Sequence, residues 1–411
     1  MAAPKLYIWQ QPKWPEISFD HQVAGPAFAA ARRSQGELEG KAAAIGLDRG
    51  QRDAEIRALE VLAQEVVATA AIEGELLDPT TVRSSVMRHL GMADTGPHSR
   101  HIDGLVEVLS DAATAFQVPL DHDRLCRWQS ALFPGGTRGI TRIAVGRYRD
   151  HSDPMQIVSG RPGKVKIHYQ APPSARVPAQ MKGFLKWFSA TTPVPGEPPK
   201  LDGLARAAIA HLWFESIHPF EDGNGRIGRA IVDMVLAQDQ ASPLRLYSLS
   251  RQLLESRAAY YDELNTAQRG TGDVTGWVVW FASQIGTACM RSSEVIDRAL
   301  EKSRFWTSHA AIDLKQRQRK VMQRLLDDGD GGFLGGLNAD KYMKMTAVSK
   351  ATATRDLGDM LDQGLLWTEG QGKGLRYFIN VPGWTHGARA EPGPRPQRAV
   401  PAARRVRSPA G

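Results

Sequence analysis

Apolar residues recur three and four positions apart through most of this chain, and that spacing predicts a mainly α-helical protein. Alanine-rich helical patterns run from Ala27 to Leu47 and from Gln51 to Ala71, with a break at Gly46–Gly50. More helical spacing falls within residues 80–118 (Val82, Val86, Leu90, then Ile102, Leu105, Val108 and Leu109) and over Leu125–Phe133, which Pro134-Gly135-Gly136 closes. Leu204, Ala208, Leu212, Phe214 and Ile217 predict one buried helix, and Ile231, Val232, Met234, Val235 and Leu236 predict the next. The period shifts to two at Met155–Gly160 and Lys164–Tyr169, runs joined through Gly and Pro, which predicts a β-hairpin with a long Ser159–Gly163 connection. A lone hairpin is marginal by itself, so a docking purpose is expected of it. Near the other end, a charged helical connection at Ser293–Phe305 leads to helices at Leu314–Leu326, Asn338–Met343 and Ser349–Gln363. Gly364–Trp367, a turn at Gly370–Gly374 and a strand at Leu375–Ile379 follow. Residues 6–21 hold two tryptophans and two prolines, which suggests an extended strip laid over an apolar surface rather than an independent fold.

Composition narrows this picture. A chain of 411 residues has room for two or three domains, and 42% hydrophobic with 23% charged residues suits a soluble globular protein. Cys126 and Cys289 stand far apart without metal-ligand spacing, which argues for a reducing compartment and against a disulfide framework or zinc site. The stretch Met1–Trp9 lacks the apolar core of a signal peptide, and no run nears the ~20 apolar residues of a membrane span. A cytoplasmic protein without membrane attachment is expected. The net charge of +8 is uneven: from Trp384 onward there are six arginines (389, 395, 398, 404, 405 and 407) against Glu391. Rich in Pro, Gly and Ala, that tail is expected to be disordered, with at most a weak hold on nucleic acid or acidic surfaces.

The chemistry concentrates in His218-Pro219-Phe220-Glu221-Asp222-Gly223-Asn224-Gly225-Arg226-Ile227-Gly228-Arg229. Its place between two apolar helices predicts a tight loop whose glycines open the second helix. Backbone N–H groups at such a start, with the helix dipole, form an anion site, and glycine lets the backbone approach closely. Arg226 and Arg229, three apart, can reach one polyphosphate. Asp222 is a hard oxygen ligand of the kind Mg²⁺ takes when phosphates supply the others. His218 precedes the turn, placed to accept a proton from a hydroxyl attacking a phosphate.

These twelve residues resemble the core motif of the Fic family, His-x-Phe-x-[Asp/Glu]-Gly-Asn-Gly-Arg-x-x-Arg, at every fixed position. The resemblance implies a nucleotidyl transferase, usually one moving AMP from ATP to a protein hydroxyl. Thr69-Ala70-Ala71-Ile72-Glu73-Gly74 is similar to the family's inhibitory motif, [Ser/Thr]-x-x-x-Glu-[Gly/Asn]. There Glu73 would pair with Arg229 and fill the γ-phosphate space, leaving ATP bound out of line for attack. By the same resemblance the strip at residues 6–21 is the short module preceding a subset of Fic proteins. The hairpin is the flap over the nucleotide, with Ile167, His168 and Tyr169 nearest to it and an edge for the target segment. Ser256, Tyr260 and Tyr261 resemble the closing helices, where the tyrosines would border adenine. Helix, short helix, the Thr346–Arg355 stretch and hairpin resemble a winged helix-turn-helix, whose Lys350, Thr352, Thr354 and Arg355 would face a DNA groove. Dimerisation or protein docking is the other use of such a unit.

The expectation is therefore a mainly α chain of four parts. Residues 1–80 form a helical segment with the inhibitory helix, and 81–290 a Fic-like catalytic core with one flap. Residues 291–383 form a linker helix and winged helix, and 384–411 the basic tail. The expected enzyme is an autoinhibited protein adenylyltransferase with ATP as substrate and Mg²⁺ on Asp222. It acts on Tyr, Thr or Ser hydroxyls of protein targets or of itself. Phe220, Gly223, Asn224, Gly225, Arg226 and Arg229 belong to its nucleotide site. A homodimer fits the layout. The alternatives are a nucleotide-sensing DNA-binding regulator, a transferase using UTP or GTP, and an enzyme that removes AMP with Glu73 aligning a water.

Overall fold

The computed structural model describes residues 6–45, 52–92, 96–138, 141–161, 164–243, 245–331 and 333–384. The Gly46–Gly50 break and the basic tail beyond Trp384 lie outside them. Helices dominate, and the strands of the described residues pair in three separate two-stranded sheets. The chain divides into two compact units, Met1–Ile296 and Asp297–Gly411. Among the described residues no helix is long and apolar enough to cross a membrane.

In the first unit, α1 (His21–Ala44) begins six residues before the expected Ala27, because the Asp20 side chain caps it by accepting the Gln22 and Val23 N–H groups. Then come α2 (Arg52–Ile72), α3 (Pro79–His89), α4 (Arg100–Thr114) and α5 (His122–Leu132), the last three capped by Asp78, Ser99 and Asp121. A short pair β1 (Thr137–Arg138) and β2 (Thr141–Arg142) precedes the hairpin of β3 (Gln156–Arg161) and β4 (Lys164–Gln170). This hairpin pairs further than expected, with Ser159, Gly160 and Arg161 opposite Lys166, Val165 and Lys164. The strip at residues 6–21 lies on it. Trp9 donates its Nε1–H to the Gln170 carbonyl at 2.8 Å, and the Tyr7 and Tyr169 rings meet edge to face at 5.1 Å.

Helix α6 (Val177–Ala190), unforeseen from the pattern, packs beside α7 (Gly203–Ile217). Every residue of α7 is buried, as expected of a helix apolar on all sides, and α8 (Asn224–Gln240) packs along it. Arg206 of α7 is paired: it donates to Thr191 Oγ1, Thr192 Oγ1, Gln238 Oε1 and the Phe188 carbonyl. Next are α9 (Leu249–Glu255), α10 (Arg257–Gln268) and α11 (Thr275–Ser308). The expected connection at Ser293–Phe305 is the latter part of this 34-residue helix.

The second unit holds α12 (Gln316–Asp328), α13 (Ala339–Thr346), α14 (Lys350–Asp362) and the antiparallel pair β5 (Leu366–Glu369) and β6 (Arg376–Ile379). Val321, Leu325, Leu357, Met360 and Ile379 share its core. Within that core the Asp356 side chain, 0% exposed, accepts from Arg317 Nε at 2.5 Å, Lys315 Nζ at 3.2 Å and the Tyr342 hydroxyl at 3.1 Å. On α14, Lys350, Thr354 and Arg355 are exposed, while Thr352 is half-buried and its N–H is tied to the Ser349 cap.

The Arg317 hydrogen bond, helped by Lys315 and Tyr342 against the opposing effect of burial, holds the Asp356 carboxyl down to about 2. A carboxylate depressed below its unfolded value of about 4 stabilises the fold above that pH, and the contribution fades as pH falls toward 2. Asp356→Asn should therefore lower hydrogen-exchange protection of α12 and α14 about tenfold or more at pH 7. The difference should close in acid; equal protection at both pH values would show that the network adds no stability.

Candidate active site

The loop after α7 is built on a strained residue. His218 ends the helix in the left-handed region, φ 51°, with its N–H donating to the Phe214 carbonyl at 2.9 Å. Arg149 keeps it there: its Nε donates to the His218 carbonyl at 2.8 Å, and Nη2 to those of Pro172 and Ile217. Burial pulls the Arg149 guanidinium down to about 10. Phe220 is fully buried between Tyr148 and Phe214. The Asn224 side chain closes the turn, accepting the Phe220 N–H at 2.9 Å and donating to the Phe220 carbonyl at 2.8 Å. Gly223, φ 88°, then starts α8, and the first N–H groups of a helix have no acceptor within it. It is at a helix start of this kind that the glycines predict an anion site.

A cavity of about 700 Å³ opens at this helix start. His218, Gly225 and Arg229 line one side, Tyr260, Tyr261, Asn265 and Gln268 another, and Ile157, Val158, His168 and Tyr169 of the hairpin a third. A second cavity of about 570 Å³ is lined by Gly74, Glu75, His101, Asp222 and Arg226, and Glu73 borders both. Arg226 is nearly buried, its Nη2 3.7 Å from Asp222 Oδ1, its Nη1 3.8 Å from Glu75 Oε2 and its guanidinium over the Phe133 ring. Glu75 also meets His101 Nε2 at 2.8 Å, which draws the Glu75 carboxyl below its ordinary range and raises the imidazole.

The end of α2 reaches into this space. Arg229 Nη2 donates to Glu73 Oε1 at 2.8 Å and to the Thr69 carbonyl at 3.0 Å, and its Nε donates to Thr69 Oγ1 at 2.7 Å. Burial opposes the guanidinium charge, but the Glu73 carboxylate outweighs it and holds Arg229 above its ordinary value. A Cβ on Gly225 would lie 2.1 Å from Glu73 Oε1, so this pairing needs glycine there. Gly74, φ 85°, turns the chain away directly afterwards.

His218, Gly225, Arg229, Glu73, His168, Tyr169, Tyr260 and Tyr261 thus meet around one cavity. Four expected residues stand differently. Ile167 is exposed and outside the cavity. The register slips so that Ile157 faces Tyr169 and Val158 faces Ile167, leaving His168 as the extra, bulged residue. Ser256 Oγ donates to the Gln252 carbonyl and to Gln284 Oε1, away from the cavity lining. Phe220 serves the core beneath the turn, and the Asn224 amide is spent on that turn, so only its backbone N–H can meet an anion. Tyr260 is buried with its hydroxyl 2.7 Å from His211 Nε2, and the half-exposed Tyr261 donates to the Ile72 carbonyl.

Arg149, His211, Glu215, Glu75 and His101 escape the sequence reading. Glu215 lies three residues before His218, a spacing that could have marked it; the others carry no local signal. Among the described residues no group of three or more His, Cys, Asp or Glu side chains is arranged for a metal ion. Asp222 as a single carboxylate suits Mg²⁺ when phosphate and water oxygens complete its shell.

The arrangement defines a mainly helical domain with a tight, glycine-opened turn between two buried helices. Residues 119–236 match the Fic/DOC family, and the chain carries a domain of that family. Residues 7–92 match a domain of unknown function, DUF4172. Protein adenylyltransferase fic-1 of Caenorhabditis elegans is 30% identical over 206 residues, 50% of this chain and 36% of that protein. Probable protein adenylyltransferase aq_aa38 of Aquifex aeolicus (strain VF5) is 28% identical over 102 residues, 25% of this chain and 27% of that protein. The chain thus spans about a third or less of these relatives' length. The crystal structure of a Fic family protein from Desulfovibrio desulfuricans G20 shares the fold, with TM-score 0.50 and 20% identity over 89% of this chain and 98% of that one.

The α2–α8 tie has a direct test. Thr69→Val keeps shape but leaves the Arg229 Nε–H buried without its acceptor, and urea unfolding should show a loss of about 1–3 kcal/mol. An unchanged midpoint would mean that Arg229 finds another partner.

Proposed function

We propose that this protein is a protein adenylyltransferase that moves AMP from ATP to Tyr, Thr or Ser hydroxyls of protein targets, itself included. The observation that carries the reading is His218 beside the start of α8, on one cavity with Arg229 and the hairpin. A target hydroxyl oxygen attacks the α-phosphorus and its proton passes to His218 Nε2. The new P–O bond forms as the α–β anhydride bond breaks, and pyrophosphate leaves. The Gly223–Gly225 amides bind phosphate oxygens, and Arg226 and Arg229 hold the outer phosphates. Asp222 is the residue that would hold Mg²⁺, which offsets charge on those oxygens when bound. The hairpin covers the nucleotide, and Tyr261 and the hairpin face of the cavity border the base.

The same reading makes the Glu73–Arg229 pair inhibitory, because it occupies a cation needed by the γ-phosphate and leaves ATP out of line. Glu73→Gly should raise transfer about tenfold or more, measured as one added AMP by intact-mass spectrometry after incubation with Mg²⁺-ATP. His218→Ala in that background should lower it by a factor of about 10²–10⁴ while ATP binding persists. Full transfer by His218→Ala would sink the mechanism. ATP binding with no covalent product on any protein would favour a nucleotide-sensing regulator instead. The exposed Lys350, Thr354 and Arg355 would then be its DNA-facing residues. A product formed only with UTP or GTP, or AMP removal dependent on Glu73, would reassign the reaction within the same site.

A further inference from the structure

Apart from Arg206, which is tied to Thr191, Thr192 and Gln238, α7 carries two ionisable side chains with no part in the transfer step as described, His211 and Glu215. They lie four apart and so share a face of the helix, the one turned to α8. A Cβ on Gly228 would come within 2.6 Å of Glu215 Oε1 and 3.1 Å of His211 Nδ1. The absence of a side chain at Gly228 therefore lets both groups press against α8. Glu215 is 6% exposed and also borders the large cavity. Its Oε2 lies 3.5 Å from His218 Nδ1, an ion-pair rather than a hydrogen-bond contact, and neither that Nδ1 nor Glu215 Oε1 has a hydrogen-bond partner among the described residues, so each is a candidate partner for the other.

A buried carboxylate persists only beside positive charge or a proton donor. The charged and titratable groups facing Glu215 are His211 and His218 from its own helix and helix end, and Arg229 from α8. Tyr260 of α10 and Tyr169 of β4 also face it, and Glu73 of α2 lies on the far side of Arg229. Burial acts to raise the Glu215 pKa, but the adjacent His218, with His211 and Arg229, outweighs it and favours the ionised form. Burial lowers the His211 pKa, which leaves that imidazole neutral against the Tyr260 hydroxyl. The His218 backbone is pinned at both its N–H and its carbonyl, so its ring has little freedom except about its own side-chain bonds.

From this geometry we infer that Glu215 is the positioning residue of His218. Its carboxylate accepts the Nδ1–H, which puts the neutral imidazole's lone pair on Nε2, toward the cavity. When Nε2 takes the hydroxyl proton, the imidazolium forms beside a carboxylate that stays unprotonated. The orientation stands by itself, and its catalytic meaning rests on the transfer reading.

Two readouts separate the parts. Nitrogen-15 NMR of histidine-labelled protein, with the His218 signal assigned by its loss in His218→Ala, reports the tautomer without any activity. The wild type should hold the neutral His218 proton on Nδ1. In a Glu73→Gly background, Glu215→Gln should lower kcat about 10- to 100-fold with little change in KM for ATP. Glu215→Asp should recover part of the rate. A neutral wild-type His218 protonated on Nε2 overturns the inference, and that measurement needs no Glu215 variant to fold. So does an undiminished kcat in a folded Glu215→Gln. The predicted tautomer with no AMP transfer in any variant would support Glu215's role and reject the transferase reading.

Discussion

The left-handed His218 at the end of a wholly buried helix is the constraint on which the remainder of the site depends. A bulky residue at positive φ is strained, and it persists only where its surroundings over-determine it. Here they do so from three directions: the Phe214 carbonyl from within α7, Arg149 from the segment before the hairpin, and the Phe220–Asn224 closure from the start of α8. Each partner is itself buried, so the loop has no loose end through which to relax. The result is a polar turn held to the precision of a core.

Arg229 couples that turn to a distant part of the chain. Its three hydrogen bonds to Thr69 and Glu73 join α2 to α8 across a sequence separation of 156–160 residues. A guanidinium that is 3% exposed needs such partners, and whatever removes Glu73 must supply another anion. The anion that fits the proposed chemistry is the substrate's own phosphate. Under the proposed function, helix α2 and the nucleotide would compete for one cation.

The parts of this molecule that were legible in the sequence are those written in consecutive residues or at fixed helical spacing. The run from His218 to Arg229 shows its turn between two buried helices, Thr69 and Glu73 show one helix face, and alternation marks the hairpin. What remained hidden is what the fold alone brings together. Arg149 reaches His218 across 69 positions, and nothing near it in sequence says so. The family resemblance groups Ile167 with His168 and Tyr169, and the bulge that separates them cannot be read from alternation. Asn224 and Phe220 fit a binding motif, yet their side chains build the turn rather than face the cavity, a distinction that only burial and hydrogen bonding reveal. Helix α6 carries Pro178 in its first turn and buries only Val177, Met181, Phe184 and Phe188, a stripe easily lost among its neighbours.

The strip at residues 7–14 has a consequence for the order in which the protein assembles. Tyr7 packs on Tyr169 and under the Arg269 guanidinium, Trp9 is tied to Gln170, and Trp14 meets Trp213. Arg269 in turn donates to the His168 carbonyl. One wall of the cavity thus rests on residues made well before residue 269, but it cannot be completed until residue 269 has been made. Contacts of such span repay their loop-closure entropy late in folding. A chain emerging from the ribosome would hold the turn after α7 before it held a finished wall, so the cavity matures last at a wall whose supporting strip was made long before.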